Sequence, residues 1–234
     1  MEQNLSKKTR TESDLIGSRE VPESALYGVQ TLRGIENFRI SKFHLNEYPL
    51  FIQALAITKM GATVANRELD LLTEEQADAI LRACKEILEG KHHEQFPVDM
   101  IQGGAGTTTN MNANEVIANR ALELMGHQRG EYQFCSPNDH VNRSQSTNDA
   151  YPTAIHIGLY YTHLKLVKHF ATLIEAFRKK GAEFAHIIKM GRTQLEDAVP
   201  MTLGQTFNGF ASILSHEVKN LDFAAQDFLA VNMG

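Results

Sequence analysis

The stretch that decides the fold is residues 150–189, AYPTAIHIGLYYTHLKLVKHFATLIEAFRKKGAEFAHIIK. Its apolar residues recur at steps of three, four or seven, at Leu166, Phe170, Leu173, Phe177, Phe184 and Ile188. A second apolar strip, formed by Val167, Ala171 and Ile174, lies beside the first. This periodicity predicts one long helix whose wide apolar face is buried against more than one neighbour.

The same spacing resumes after a polar turn over residues 190–201. The apolar residues that follow are Phe207, Phe210, Leu214, Val218, Leu221, Ala225 and Phe228. Thr202 and Gln205 supply a start signal for this second helix. At about 1.5 Å per residue, each of the two helices would span roughly 40–55 Å. We expect an antiparallel pair that belongs to a bundle, because two helices cannot close a core without further helices from this chain or other subunits.

Two shorter helices are expected upstream, over residues 48–69 and 73–89. The first has apolar residues roughly on one side. The second has clearer boundaries, because Thr73 followed by Gln76 makes a capping box and Gly90 occupies the position of a C-terminal glycine.

A further helix is expected near residues 113–125. Asn112 and Glu115 have the spacing of a capping box, and a glycine follows the end of the segment. The flanking segments, 91–109 and 127–148, are rich in glycine and small polar residues and are expected to be loops.

The N-terminal residues 1–47 mix glycine, proline and charges without lasting periodicity, which predicts an irregular region. No alternating strand pattern matches the strength of the helical ones. The fold class is therefore predicted to be all-α. We expect a small, mostly helical N-terminal domain over residues 1–148, and residues 149–234 as the start of a central helical bundle.

Composition excludes several function classes. The chain has 234 residues, a net charge of −5 and a pI near 6.1, which argues against nucleic acid as a partner. The sequence contains no apolar run of eighteen or more residues, so no membrane span is expected. The two cysteines give no disulfide framework, so a cytoplasmic location is expected. The 10 histidines show no zinc-ligand spacing, so no metal is expected.

A crowded polar segment precedes the long helix, in residues 142–155, NRSQSTNDAYPTAI. Asn148 or Asp149 is the natural N-cap, and Pro152 is expected in the first turn, where its missing N–H costs little. A helix N-terminus carries partial positive charge and unpaired N–H groups, so it favours anions. The alternative is that these residues only cap the helix.

The same arrangement occurs at two other places. Thr107 stands with two further threonines after a glycine-rich turn, and Thr193 and Gln194 lie in the turn between the long helices. All three segments offer neutral donors, which could converge on a small anion. Such donors suit chemistry next to a carboxylate, since hydrogen bonds aimed at its oxygens strengthen as negative charge develops.

Four blocks, in order along the chain, resemble the class II aspartase/fumarase superfamily. They are GSREVPESALYGVQTLRGIENF, QGGAGTTTNMNANEVIANRALELMG, NDHVNRSQSTNDAYPTA and KMGRTQLEDAVPMTLGQ. The resemblance covers residues 12–234. It implies a homotetramer built on a central helical bundle, which takes ammonia from L-aspartate, or water from malate, to give fumarate. It implies no organic cofactor and leaves room for magnesium as an activator.

Carried over by motif, Thr107 resembles a donor to the substrate carboxylate. Ser146, Thr147 and Asn148 resemble a second substrate-binding element, and Thr193 resembles a third. In the family, such segments from three different subunits combine into one active site. The resemblance therefore implies shared sites.

Gln194 bears on the substrate. Class II fumarases carry a histidine directly after the threonine of GRT, whereas Gln194 occupies that position here and is similar to some aspartases. This favours L-aspartate over malate. A fumarase-type hydratase and a non-catalytic helical module that only binds partners remain the alternatives.

The family's general base has no counterpart among these residues. In the family, a serine of a loop that reads roughly Gly-Ser-Ser-x-Met-Pro-x-Lys-x-Asn takes the substrate proton, and no such string occurs here. We therefore expect the chain to be an N-terminal portion that lacks the base and is inactive alone.

Overall fold

The computed structural model describes residues 8–233. The chain divides into two compact units, Met1–Gly158 with Val231–Gly234, and Leu159–Ala230. The first unit ends inside a helix, C-terminal to the domain boundary expected at residue 148. Each unit is described by itself.

The described chain is mostly helical, as predicted. The α-helices are α1 (Val29–Asn37), α2 (Pro49–Glu68), α3 (Glu74–Leu88), α4 (Thr107–Leu124), α5 (Thr147–Glu183) and α6 (Leu203–Ala224). The strands are β1 (Thr9–Asp14), β2 (Gly17–Pro22), β3 (Ile188–Thr193) and β4 (Glu196–Thr202). Short 3₁₀ or π turns lie at Leu45–Glu47, His93–Gln95, Gly104–Gly106, Pro137–Val141 and Ala225–Leu229. None of the helices within residues 8–233 combines the length and apolarity needed to cross a bilayer.

The core of the first unit forms between α2, α3 and α4. Fully buried side chains from these helices are Ile52, Leu55, Ile80, Ile87, Ile117 and Leu122. The boundaries of α2 and α3 agree with the prediction. The Thr73–Gln76 capping box is present in both directions, and Gly90 has a φ of +87°, the left-handed backbone that favours glycine.

The prediction of an irregular region over residues 1–47 is wrong for residues 9–37, and its first seven residues lie outside the described part of the chain. β1 and β2 pair as an antiparallel hairpin, and α1 follows it. The turn closes on Asp14, whose Oδ1 accepts from the N–H groups of Ile16 and Gly17, and Arg33 of α1 pairs with the same carboxylate at 2.9 Å. The hairpin escaped prediction because polar residues occupy most of both strands.

The helix predicted near 113–125 begins six residues earlier, at Thr107, so the Asn112–Glu115 capping box is wrong. Asn112 is fully buried inside α4 and donates to the carbonyl of Gln95. Glu115 accepts from the N–H groups at the start of α1, Gly28, Gln30 and Thr31, at 2.8–3.0 Å. It therefore caps a different helix. Burial raises its pKa, and these hydrogen bonds oppose the rise.

In the second unit, α5 and α6 run antiparallel, as predicted. His163 meets Asp222 at 2.9 Å, and further along α5 Phe177 meets Phe210 at a ring distance of 5.6 Å. The residue number on α6 falls as the residue number on α5 rises, so the two helices run in opposite directions. The Thr202–Gln205 capping box at the start of α6 is present.

The prediction that the long helix continues to residue 189 is wrong. α5 ends at Glu183, and residues 188–202 form the hairpin of β3 and β4. Gln194 and Leu195 form its two-residue turn with φ values of 48° and 65°. Positive φ at both central positions is typical of a type I′ turn, whose twist matches that of paired strands.

Candidate active site

The turn before α4 has an unusual backbone. Gly104, Ala105 and Gly106 all have positive φ, at 71°, 49° and 92°. A side-chain carbon at Gly106 would overlap the ring of Tyr151 in α5, so only glycine fits there. Tyr151 also packs edge-on against Phe51 of α2, at a ring distance of 5.7 Å. The glycine turn is thereby held against the beginning of α5.

Gln102 supplies the cap of α4 from outside the helix. Its Oε1 accepts from the backbone N–H of Thr109 at 2.7 Å, and its Nε2 donates to the Thr109 hydroxyl at 2.8 Å. Asp99 anchors the same turn, because its carboxylate accepts from the N–H groups of Ile101 and Ser41 at 2.7 and 2.6 Å. Burial would raise the pKa of Asp99, but these bonds lower it to about 2. The segment that leads to Thr107 is therefore held in place by Asp99 at its start and by the bonds between Gln102 and Thr109.

Thr107 is exposed at the first position of α4. Its hydroxyl donates to the carbonyl of Gly104 at 2.6 Å. A threonine hydroxyl has a single proton. Donation to a ligand carboxylate would therefore require the Thr107 hydroxyl to release Gly104. The backbone N–H of Thr107 also donates to the Gly104 carbonyl.

Ser146 caps α5, so the prediction of Asn148 or Asp149 as N-cap is wrong. The hydroxyl of Ser146 accepts from the N–H of Asn148 at 3.1 Å, and its carbonyl accepts from the N–H of Ala150 at 3.0 Å. Pro152 consequently lies in the second turn and not in the first. Ser146 and Asn148 are exposed, whereas Thr147 is half-buried.

Asn110 joins the two helix starts. Its side-chain Nδ2 donates to the Thr147 hydroxyl at 3.0 Å and to Oδ1 of Asn142 at 3.1 Å. Asn110 lies one turn after Thr107 in α4 and is fully buried. The first turns of α4 and α5 therefore meet, and both carry hydroxyl side chains.

Lys59 lies beneath this junction, in the middle of α2. Lys59 is 0% exposed, and its Nζ donates to Asn142 Oδ1 and to Gln145 Oε1, both at 2.9 Å. Burial lowers the pKa of the ammonium from 10.5 to about 7. Sequence reasoning missed Lys59, although its position four residues after Leu55 on the inward face of α2 was a sign of burial.

Thr193 and Gln194 lie in the second unit, at the exposed tip of the β3–β4 hairpin. Thr193 is the last residue of β3 and pairs with Glu196 across the turn. Arg192 closes the tip by donating to the carbonyl of Leu195 at 2.8 Å and by pairing with Asp197. Thus two of the three predicted segments meet within the first unit, and the third lies at the two-residue turn of the β3–β4 hairpin.

The junction is suited to bind a small anion. Two helix starts add partial positive charge, and the hydroxyls around them are neutral donors that cannot take a proton from a bound acid. Within the described residues, no group of three or more His, Cys, Asp or Glu side chains could hold a metal ion.

Comparison with known proteins defines the class. The family model described as Lyase matches residues 17–234. The fumarate lyase:delta crystallin of Brucella melitensis, in its native form, superposes with a TM-score of 0.94 at 51% identity, covering 97% of this chain and 53% of that one. The class II fumarase of Schistosoma mansoni superposes with a TM-score of 0.86 at 35% identity, covering 96% and 47%. The chain belongs to this lyase family.

Two relatives are similar over almost the whole chain. The aspartate ammonia-lyase of Pseudomonas fluorescens is 57% identical over 226 residues, which cover 96% of this chain and 47% of that protein. The aspartate ammonia-lyase of Escherichia coli K12 is 54% identical over 231 residues, which cover 98% and 48%. The chain spans about half the length of the curated relatives it matches.

Proposed function

We propose that the full-length protein is an aspartate ammonia-lyase, which eliminates ammonia from L-aspartate to give fumarate. The observation that carries the proposal is the meeting of the α4 and α5 starts through Asn110 and Thr147, in a chain 54–57% identical to aspartate ammonia-lyases. A dicarboxylate fits a junction of two helix starts and neutral hydroxyls, because such a junction favours anions over apolar substrates.

The reaction begins with removal of a proton from the β-carbon of L-aspartate, next to its carboxylate. The electron pair moves into that carboxylate, which then carries two negative charges. Thr107, Ser146 and Thr147 are proposed to hold the substrate's carboxylates, and hydrogen bonds to the doubly charged group strengthen as charge develops. Asn148 orients the substrate.

In the second step the electron pair forms the carbon–carbon double bond, and the C–N bond breaks to release the α-ammonium group as ammonia. The base that takes the proton is proposed to be the serine implied by the resemblance. The scheme needs no organic cofactor, and magnesium enters at most as an activator. A cytoplasmic location remains part of the proposal.

Thr193, with Gln194 beside it, is proposed to reach the substrate of a neighbouring subunit in a homotetramer. The second unit supports assembly, because its helices carry large exposed apolar side chains. They include Leu164, Leu173, Phe210, Ile213 and Phe223, the last 83% exposed. Such a face requires further helices to cover it.

A fumarase is the second candidate, favoured by the similarity in fold to the Schistosoma mansoni enzyme. Offering L-aspartate and L-malate separately to the full-length protein, and following fumarate by its ultraviolet absorbance, distinguishes the two. We expect fumarate from L-aspartate only. Fumarate from malate only would assign the protein to the hydratases, and no fumarate from either would overturn both assignments.

A further inference from the structure

A buried cation without an acidic partner lies behind the candidate site. Lys59 is 0% exposed, and its amine contacts two neutral amide oxygens, those of Asn142 and Gln145. Among residues 8–233, no carboxylate forms an ion pair with it. Charges buried in proteins are usually paired, because moving an ion out of water costs several kcal/mol.

The amine is connected to the substrate segment through side chains on three elements. Asn142 Oδ1 accepts from Lys59 and from Asn110, and Asn110 donates in turn to Thr147. Gln145 directly precedes Ser146, the cap of α5. A change at Lys59 therefore acts on both helix starts through adjoining hydrogen bonds.

We propose that Lys59 is a positioning residue for the dicarboxylate site. It holds Ser146–Asn148 in place, and its positive charge attracts a bound dianion. The proposal rests on the proposed function, since it takes a dicarboxylate as the ligand. Lys59 does not touch the substrate in this scheme and acts through Asn142, Gln145 and Asn110.

Within residues 8–233, the groups that face the amine leave Lys59 as the one that titrates near neutral pH. The 142–145 segment contributes the amides of Asn142 and Gln145, and α4 contributes the amide of Asn110. From α3, the Cys84 thiol acts on Lys59, but burial raises the pKa of Cys84 to about 12, so it stays protonated. Arg143, beside Asn142, has an exposed side chain.

Binding of a dianion should therefore be linked to a proton. Burial holds the pKa of Lys59 at about 7, and a nearby anion stabilises the charged form. By reciprocity, protonation of Lys59 strengthens binding of the anion by the same factor. At about pH 8, where most of the amine is neutral, binding should draw a proton from solution, whereas near pH 6 it should not.

The test uses the full-length protein and succinate, an unreactive dicarboxylate. Calorimetric titrations at about pH 8, in two buffers with different ionisation enthalpies, count the protons taken up. Lys59→Met keeps the side-chain volume and removes the charge, and Lys85→Met makes the same change at an exposed position of α3. Gln145→Glu, which gives Lys59 a carboxylate partner, is a second variant for the case in which Lys59→Met fails to fold.

We expect proton uptake in the wild type and in Lys85→Met, and its loss in Lys59→Met and Gln145→Glu. Near pH 6, Lys59→Met should bind succinate about tenfold more weakly, within the range typical of coupled sites. Unchanged uptake and affinity in the Lys59 and Gln145 variants would overturn the inference alone if the wild type converts L-aspartate. A wild type that binds succinate with proton uptake but converts no L-aspartate would overturn the proposed function alone. A wild type that binds no succinate would overturn the inference, and its turnover of L-aspartate would be judged separately.

Discussion

Asn110 Nδ2 lies 3.0 Å from the Thr147 hydroxyl, and this bond joins the first turn of α5 to α4. The two residues are far apart in the chain, and Asn110 is fully buried. A buried amide is a poor filler of space but a precise tether, because its hydrogen bonds are directional and costly to leave unmade. The relative position of the two helix starts depends on this tether.

Asn110→Ala should therefore weaken both stability and substrate binding. Removing the amide leaves the Thr147 hydroxyl without this donor, at a cost of about 1–3 kcal/mol in the free energy of unfolding. Urea denaturation followed by circular dichroism measures the loss. Asn46→Ala is the control, since Asn46 is exposed. Equal unfolding free energies for the two variants would show that the tether contributes nothing.

Gly106→Ala tests the contact between the glycine turn and α5. Alanine at a φ of 92° is strained, and its methyl group would also overlap the Tyr151 ring. Gly126→Ala is matched, because Gly126 has a φ of 84° but nothing within 4 Å of the added carbon. We expect the Gly106 variant to lose about 1–3 kcal/mol more than the Gly126 variant, the usual cost of overpacking. Similar losses in both would mean that Tyr151 moves aside freely.

The pH dependence of stability tests the burial of Lys59. Its folded-state pKa of about 7 lies below the ordinary value of 10.5, so between these limits the unfolded chain binds more protons than the folded one. Stability should therefore rise with pH over this window, by at most about 1.4 kcal/mol per pH unit from this group. Below pH 7 the amine is protonated in both the folded and the unfolded state, so the stability that this group adds at higher pH is absent. Lys59→Met should lack this rise relative to the wild type, and parallel curves from urea denaturation would contradict the burial.

Local sequence signals identified the helices but not the residues that hold the candidate site in place. The capping boxes at Thr73 and Thr202 lie within one turn of the helices they begin, so they could be recognised directly. The cap of α4 comes from Gln102, which precedes the helix. Three residues with left-handed backbone separate Gln102 from the helix start, and its side chain bonds Thr109. Low-propensity threonines and asparagines at the start of α4 concealed its first turn.

The hairpins escaped prediction for a related reason. In β1 and β2 one residue of each strand, Glu12 and Val21, is buried, so neither strand shows a clear alternation. The candidate substrate-binding residues were predicted by resemblance and by their grouping at helix starts. Lys59 and Asn110 were missed because a charge or amide in the interior is recognised only once its partners from other elements are known.

Thr193→Val tests whether the hairpin tip takes part in the reaction. Valine keeps the shape of threonine and removes the donor. If the hydroxyl stabilises developing charge on the substrate, kcat of the full-length enzyme for L-aspartate should fall about a hundredfold, the typical loss of one oxyanion donor. Thr172→Val is the control, because Thr172 is exposed on α5 and its hydroxyl donates to the carbonyl of Lys168 in the same helix. The kcat of Thr172→Val should be unchanged.

The Thr193 substitution should leave the hairpin intact, because the backbone of Thr193 pairs with Glu196 beside the two-residue turn at Gln194 and Leu195. Circular dichroism can verify this. Near-normal kcat in a folded Thr193→Val enzyme would remove the hairpin tip from the mechanism.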